Sequence, residues 1–109
     1  MAQFKTVTVE EVDARRRARE KFRLIDVREP EEFRVAHIEG AELKPLGQIV
    51  QWMAELTDKN EDIVLHCHHG MRSEQASSFL ARQGFTHISN MSGGIDEWSA
   101  RIDPGVPRY

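Results

Sequence analysis

The sequence predicts an α/β fold in which helices cover both faces of a mostly parallel sheet. Three short segments bounded by turn residues are typical of buried strands, and they lie at 24–27, 63–65 and 85–91. Segments with helical patterns separate them, and strands that alternate with helices favour parallel pairing. In such sheets, binding and catalytic sites form beyond the carboxyl ends of the strands.

The first predicted helix begins near Thr8. Thr8 and Glu11 have the spacing of a capping box, in which each side chain accepts a hydrogen bond from the other residue's backbone N–H. Val7 and Val12 are placed to pack together across this cap as a hydrophobic staple. The strand at 24–27 follows this helix.

Two more helices are predicted in the middle of the chain. Pro30 suits the first position of a short helix, and the acidic residues Glu31 and Glu32 favour its positive N-terminus. After Pro45, apolar residues recur at helical spacing and predict an amphipathic helix. Its inner face would consist of Leu46, Ile49, Val50, Met53 and Leu56.

The last third of the chain holds the remaining elements. The strand at 63–65 is predicted to lead into a turn at 67–72 and then into a helix from Ser73, which Gly84 is placed to end. The elements predicted after it are the strand at 85–91, a tight turn at Gly93–Gly94 and a short helix at Ile95–Trp98.

Composition indicates a single domain, 1–109, of the soluble globular class. The net charge of -3 gives no basic excess, so general nucleic-acid binding is not expected. No apolar run approaches the roughly 18 residues that a membrane span requires. The single cysteine cannot form an intramolecular disulfide, and we therefore expect a reducing, cytoplasmic compartment.

The stretch VLHCHHGMRS, residues 64–73, places that cysteine directly after a buried strand. Backbone N–H groups in a strand-to-helix turn point inward and add to the positive end of the helix dipole. A thiol at Cys67 should therefore lose its proton easily. Gly70 supplies backbone freedom for a tight turn, and Arg72 adds a positive charge. The alternative, an inert cysteine in the core, is disfavoured by this combination.

The histidines around Cys67 raise the question of a metal. Because neighbouring side chains should diverge and zinc sites prefer spaced ligand pairs, no metal is expected here. We expect His68 and His69 to line the mouth of the loop and His66 to point to the opposite side, into the core. Arg72 either contacts substrate or pairs with a carboxylate beneath the loop, and the sequence leaves both alternatives open.

Three segments resemble signatures of the rhodanese family: LIDVREPEEFRVAHIEGA (24–41), VLHCHHGMRS (64–73) and NMSGGIDEW (90–98). The resemblance implies a five-stranded parallel sheet between helices and sulfur transfer through a persulfide on Cys67. It also implies that no cofactor is needed and that the partners are small sulfur donors and thiol acceptors. Carried over by position, the nucleophile is Cys67, the active-site loop continues through His68, His69, Gly70, Met71 and Arg72, and support comes from Asp26 and Arg28.

Two rival functions and one partner also follow from family resemblance. Cysteine phosphatases with a similar cradle have five residues between Cys and Arg, whereas this loop has four and suits a single sulfur atom better, so phosphatase and arsenate reductase activity are both disfavoured. A non-catalytic rhodanese-fold interaction module would usually lack the cysteine. The closing IDPGVPRY resembles the tail of rhodanese domains fused to adenylating enzymes, which implies a sulfur-carrier or biosynthetic protein as partner.

Overall fold

A computed structural model describes residues 3–109 and contains one five-stranded sheet. The strands are β1 (Lys5–Val7), β2 (Arg23–Asp26), β3 (Glu42–Leu43), β4 (Ile63–His66) and β5 (Ile88–Met91). They lie in the order β1-β5-β4-β2-β3, and each neighbouring pair is parallel. The predicted α/β class and the five-stranded parallel sheet are confirmed.

In the described part of the chain, residues 3–109, five α-helices flank the sheet. They are α1 (Val9–Arg17), α2 (Pro30–Val35), α3 (Ile49–Met53), α4 (Met71–Arg82) and α5 (Gly94–Arg101). Successive strand residues point to opposite faces, so Ile25 and Leu65 pack into a core beside α3 and α4, while Leu24 and Val64 pack beside α1 and α5. No helix within residues 3–109 is long and apolar enough to cross a membrane.

Helix starts agree well with the sequence pattern. Thr8 caps α1, its side chain accepts from the Glu11 N–H at 3.1 Å, and Glu11 accepts from the Thr8 N–H at 2.9 Å. Pro30 occupies the first turn of α2. Helix α4 begins earlier than predicted. Gly70 (φ +115°) ends the turn, and the helix begins at Met71 rather than Ser73.

The segment after Pro45 differs from its prediction. It forms a 3₁₀ turn, Leu46–Gln48, followed by the five-residue α3. Because a 3₁₀ turn has three residues per turn, it changes the phase of the apolar pattern, and Val50 is 63% exposed instead of facing the core.

The length of β5 and the end of the last helix also differ from their predictions. β5 begins at Ile88 because the N–H groups of Phe85 and Thr86 bind the carbonyls of Leu80 and Lys59 in the preceding turns. The last helix extends to Arg101, three residues beyond the prediction. The short edge strands β1 and β3 have no recognisable periodicity, and only the family resemblance implied five strands.

Candidate active site

Cys67 is the first residue after β4, and the protein buries its thiol. Its exposed fraction is 1%. The Gly70 N–H donates to Sγ at 3.1 Å, and the Ser73 hydroxyl lies 3.4 Å from the same atom. The sequence predicts several inward-pointing N–H groups around the sulfur. Among residues 3–109, only the Gly70 N–H donates to Sγ in the free protein. The acidity expected of this thiol stays a prediction.

Ser73 connects the thiol to β5. Its hydroxyl has one proton and three acceptors within reach: Asn90 Oδ1 at 2.6 Å, the Gly70 carbonyl at 3.2 Å and Cys67 Sγ at 3.4 Å. The shortest contact favours Asn90, whose amide in turn lies 3.4 Å from the Gly70 carbonyl. A turn of the hydroxyl would exchange the bond to Asn90 for one to Sγ, which becomes the stronger acceptor when negative charge develops there.

The first turn of α4 supplies further donors. Glycine at the N-cap position has no side chain to cap the helix. Within the part of the chain that the structure describes, the N–H groups of Met71, Arg72 and Ser73 have no hydrogen-bond acceptor. These unpaired groups carry the positive end of the helix dipole, and they follow Cys67 by four to six residues.

The start of α5 fixes the other side of the loop. The N–H groups of Ile95 and Asp96 donate to the carbonyls of Cys67 and His68 at 2.9 and 3.1 Å. Gly94 has φ +58°, and a Cβ there would lie 2.4 Å from the Cys67 carbonyl oxygen. The predicted glycine turn is therefore required both for its backbone conformation and for close packing against the loop.

Arg72 pairs with a carboxylate in the structure, one of the two alternatives left open by the sequence. Its Nη1 and Nη2 donate to Glu32 Oε1 and Oε2 at 2.6 and 2.9 Å. The hydrogen bonds from Arg72 lower the pKa of Glu32 to about 2, and the same pair raises the pKa of Arg72. The pair ties α2 to the first turn of α4, directly after the Cys67 loop.

Asp26 and Arg28 form a second, fully buried pair at the end of β2. Both side chains are 0% exposed. Arg28 Nε and Nη2 donate to the Asp26 carboxylate at 2.7–3.1 Å, and Nη2 also donates to the Ala36 carbonyl at 2.7 Å. Burial by itself would lower the pKa of Arg28, but the bonds and charge of Asp26, together with Tyr109, outweigh it and raise that pKa. Asp26 pairs in register with His66, the residue before Cys67, and the supporting role of Asp26 and Arg28 stays a prediction.

His66 lies in the core on the far side of Cys67, as expected, but one of its nitrogens is unsatisfied. Nδ1 lies 3.3 Å from the Cys67 carbonyl, whereas Nε2 is buried without a hydrogen-bond partner among residues 3–109. Nε2 is 3.8 Å from Asp26 Oδ2, yet Arg28 already neutralises that carboxylate. Burial lowers the pKa of His66, and we assign it as neutral.

The expected divergence of the two loop histidines is wrong. The rings of His68 and His69 lie 4.0 Å apart, because a tight turn does not alternate its side chains as a strand does. With Asp96 they form a cluster whose ligand atoms lie within 4.8 Å of one another. Arg108, however, already binds both oxygens of Asp96, at 3.0 and 3.1 Å. Burial and the neighbouring His69 lower the pKa of His68.

Tyr109 is a site residue that the sequence did not predict. Its ring stacks on His68 with 4.1 Å between centroids and 4° between planes. Its hydroxyl donates to Glu32 Oε2 at 2.8 Å and accepts a hydrogen bond from Arg28 Nη1. Burial, the largest influence, raises the pKa of Tyr109. One side chain therefore contacts the loop and both ion pairs.

Glu32, Ser73 and Asn90 were also missed as site residues. Ser73 stood inside the quoted loop motif, and Asn90 is a buried polar residue in a strand, which is a signal for a hydrogen-bonded role. Glu32 carried no such signal, because acidic residues are common in the first turn of any helix.

Comparison with known proteins identifies the family. A family model described as "Rhodanese-like domain" matches residues 8–101. The protein YqhL of Bacillus subtilis (strain 168) is 43% identical over 99 residues, covering 90% of this chain and 75% of that protein. Thiosulfate sulfurtransferase GlpE of Pseudoalteromonas translucida (strain TAC 125) is 34% identical over 85 residues, covering 78% and 80%.

Other relatives are longer proteins. The chain spans 30% of the Arabidopsis thaliana "Rhodanese-like/PpiC domain-containing protein 12, chloroplastic", at 39% identity over 89 residues. It spans 23% of the Mycobacterium tuberculosis (strain CDC 1551 / Oshkosh) "Probable adenylyltransferase/sulfurtransferase MoeZ", at 35% identity over 91 residues. The crystal structure of a rhodanese-like domain protein from Staphylococcus aureus superposes with a TM-score of 0.82 at 26% identity, covering 97% of this chain and 99% of that one. The chain therefore belongs to the rhodanese-like domain family.

Proposed function

We propose that this chain is a sulfurtransferase that carries sulfur as a persulfide on Cys67. The observation that carries the proposal is the surroundings of Sγ: one N–H donor at 3.1 Å, and a helix N-terminus whose first N–H groups are unpaired within residues 3–109. The relatives named as thiosulfate sulfurtransferases support the same chemistry.

In the first half-reaction, the Cys67 thiolate attacks the outer sulfur of a donor such as thiosulfate. A new S–S bond forms, the donor's own S–S bond breaks, and sulfite leaves with the electron pair. The product is Cys67–S–S⁻, whose outer sulfur carries the negative charge. We expect the free N–H groups of Met71, Arg72 and Ser73 to stabilise that charge as it develops, as an oxyanion hole does.

In the second half-reaction, an acceptor thiolate attacks the outer sulfur. The acceptor becomes a persulfide, and the Cys67 sulfur leaves as a thiolate, which restores the starting state. Cyanide accepts the sulfur in the same way and becomes thiocyanate. The cycle needs no net oxidant, and the two half-reactions predict ping-pong kinetics.

The orientation of Arg72 disfavours the phosphatase alternative. A phosphate-binding loop needs the guanidinium of its arginine for the phosphoryl oxygens, whereas both terminal nitrogens of Arg72 donate to Glu32. A single sulfur atom needs no such second ligand. We therefore propose sulfur transfer rather than phosphatase or arsenate reductase activity.

The direct test is intact mass spectrometry under non-reducing conditions. Incubation with thiosulfate or glutathione persulfide should add one sulfur atom to the wild-type protein. The Cys67→Ser variant, which lacks the chain's only cysteine, should gain none while it keeps the wild-type circular dichroism spectrum. If the folded wild-type protein gains no sulfur from any donor, the proposal is wrong and the interaction-module alternative is favoured.

We infer further that a protein receives the sulfur. The relative MoeZ is named as an adenylyltransferase/sulfurtransferase, and the Bacillus subtilis (strain 168) relative YrkF is named as a putative sulfur carrier protein. A carrier protein that bears a free thiol should remove the sulfur faster than free cysteine does at equal concentration, because its thiolate attacks the outer sulfur and becomes a persulfide while Cys67 leaves as a thiolate. Equal rates would contradict a protein acceptor and leave the thiol chemistry intact.

A further inference from the structure

The sulfur atom that the proposed reaction needs lies beneath the surface. Cys67 is 1% exposed, so a donor molecule reaches Sγ only after a neighbouring element moves. Within residues 3–109, the loop that carries Cys67 contacts the end of β2, α2 through Glu32, β5 through Asn90, the start of α5, and the tail formed by residues 107–109.

The end of β2 and the start of α5 are held firmly. Asp26 and Arg28, at and just beyond the end of β2, are fully buried and paired with each other. At the start of α5, Gly94 packs so closely on the Cys67 carbonyl that no room remains even for a Cβ. Movement of either element would break buried polar contacts, which is strongly unfavourable.

The tail is held differently. In the described chain, the N–H of Val106 makes the last backbone–backbone hydrogen bond, and residues 107–109 are attached through side chains. Arg108 binds Asp96, while Tyr109 binds Glu32 and stacks on His68. The Arg108 side chain is 60% exposed and Tyr109 is 43% exposed. Exposed contacts of this kind are individually weak.

The stacked histidine favours release of the tail. The His68 ring lies between the rings of His69 and Tyr109. Its Nε2 is buried without a hydrogen-bond partner among residues 3–109, which is unfavourable. We expect displacement of the stacked Tyr109 ring to let water reach this nitrogen, which would recover part of the energy lost by breaking the stack.

We propose that Arg108 and Tyr109 form a removable clasp over the Cys67 loop, and that Tyr109 discriminates among sulfur donors by their size. A small donor reaches the sulfur after a partial displacement of the clasp, whereas a large donor requires full displacement. The discrimination among sulfur donors rests on the proposed function, but the shielding of the thiol does not.

Maleimide labelling tests the shielding without any sulfur transfer. Cys67 is the only cysteine in the chain, so intact mass reports its modification alone. N-ethylmaleimide and fluorescein-5-maleimide share one reactive group and differ in size, and each rate is divided by that reagent's rate with glutathione. If the clasp is open in about one molecule in ten, Tyr109→Ala should raise the fluorescein-5-maleimide rate about tenfold. The N-ethylmaleimide rate should rise much less.

Three further variants sharpen the result. Tyr109→Phe keeps the ring on His68 and loses both bonds of the hydroxyl, so its labelling rate should lie between those of wild type and Tyr109→Ala. Arg108→Ala should raise the rate with the large reagent, whereas Arg101→Ala should not. Arg101 is the matched control, because its side chain is 59% exposed and pairs with carboxylates away from the loop. Equal acceleration of both reagents, or no acceleration, would overturn the proposal.

Sulfur donors provide the second arm. In Tyr109→Ala, persulfide formation from glutathione persulfide should accelerate more than that from thiosulfate. An unchanged ratio between the two donors would overturn the selection by size. Failure of every variant to accept sulfur, together with size-dependent labelling, would refute the proposed function and leave the clasp supported.

Discussion

Two arginine–carboxylate pairs flank the active-site loop, and they differ in almost everything except their chemistry. Asp26 and Arg28 stand two positions apart in the chain and are both 0% exposed. Glu32 and Arg72 are 40 positions apart, with exposed fractions of 22% and 36%. In each pair, two guanidinium nitrogens contact two carboxylate oxygens.

The difference in burial separates two roles. A fully desolvated pair adds little net stability, but removing one partner leaves a buried charge without compensation. A partly exposed pair contributes much less to stability than a fully buried one, and its value lies in the orientation of the groups that it joins. We therefore assign Asp26–Arg28 to the integrity of the fold, and Glu32–Arg72 to the geometry of the loop. Tyr109, which bonds to both pairs, connects the two roles.

Removal of the buried carboxylate should have the largest effect. Asp26→Asn leaves the Arg28 charge uncompensated, and we expect the free energy of unfolding to fall by about 3–5 kcal/mol. Urea denaturation followed by circular dichroism measures it. Glu32→Gln, the matched change in the exposed pair, should lower the same quantity by only about 0.2–1 kcal/mol.

A loss of equal size in both variants would contradict the division of roles. If Asp26→Asn does not fold, Arg28→Lys serves instead, because it keeps the positive charge and loses the two-point geometry. Its loss of stability should still exceed that of Glu32→Gln.

The pH dependence of the free energy of unfolding should distinguish the buried region around Asp26 from the partly exposed Glu32–Arg72 pair. The folded protein holds His66 with a pKa below its usual value near 6.5, so the unfolded chain binds more protons as the pH falls below 6.5. The free energy of unfolding should then decrease, by at most about 1.4 kcal/mol per pH unit for this one group. Urea denaturation of wild type and His66→Gln between pH 7 and pH 5 measures the difference, and identical slopes would contradict the assignment.

In the Glu32–Arg72 pair, the group that titrates is the carboxyl group of Glu32. Arg72 lowers the pKa of Glu32 from 4.5 to about 2. A carboxyl group whose folded pKa is lowered stabilises the fold above its unfolded pKa. The contribution of Glu32 is therefore complete above pH 4.5 and is lost as the pH falls toward 2, so it does not change between pH 7 and pH 5, where His66 is tested.

The contrast between the pairs also explains what the sequence could predict. Elements with strong local signals were recovered: the Thr8 capping box, Pro30 at the start of α2, and the glycine turn before α5. Local patterns failed where tertiary pairing decides the structure, as in the short edge strands β1 and β3. They also failed after Pro45, where the 3₁₀ turn shifted the apolar phase and exposed Val50.

The active-site residues also divide into those that a local sequence pattern predicts and those that only long-range contacts bring to the site. Cys67 and its loop are contiguous and carry a motif, so the sequence located them. Glu32 and Tyr109 reach Arg72 and Arg28 across 40 and 81 positions, and no local pattern encodes such contacts. The closeness of His68 and His69 was missed because the prediction assumed diverging side chains, which a tight turn does not impose.

The exposed pair should matter more for the reaction than for stability. Glu32→Gln releases Arg72 and loosens the first turn of α4, and we expect persulfide formation from thiosulfate to slow about tenfold, equivalent to about 1.4 kcal/mol of lost positioning. The second-order rate from intact mass measures it. Glu42→Gln is the matched control, because Glu42 pairs in the same two-point manner with Arg23 far from the loop, and its rate should equal that of wild type.

The smallest expected effect comes from adding Arg72→Lys to Glu32→Gln. Lysine keeps the charge but cannot make the two-point contact, so Arg72→Lys alone should slow persulfide formation by no more than Glu32→Gln does. If Arg72 acts only through its pair, the double variant should be no slower than the slower single variant, because two changes in one interaction do not add. Multiplication of the two effects would mean that Arg72 also contacts the donor. The rates of the four proteins therefore decide between the pairing and substrate-contact alternatives for Arg72.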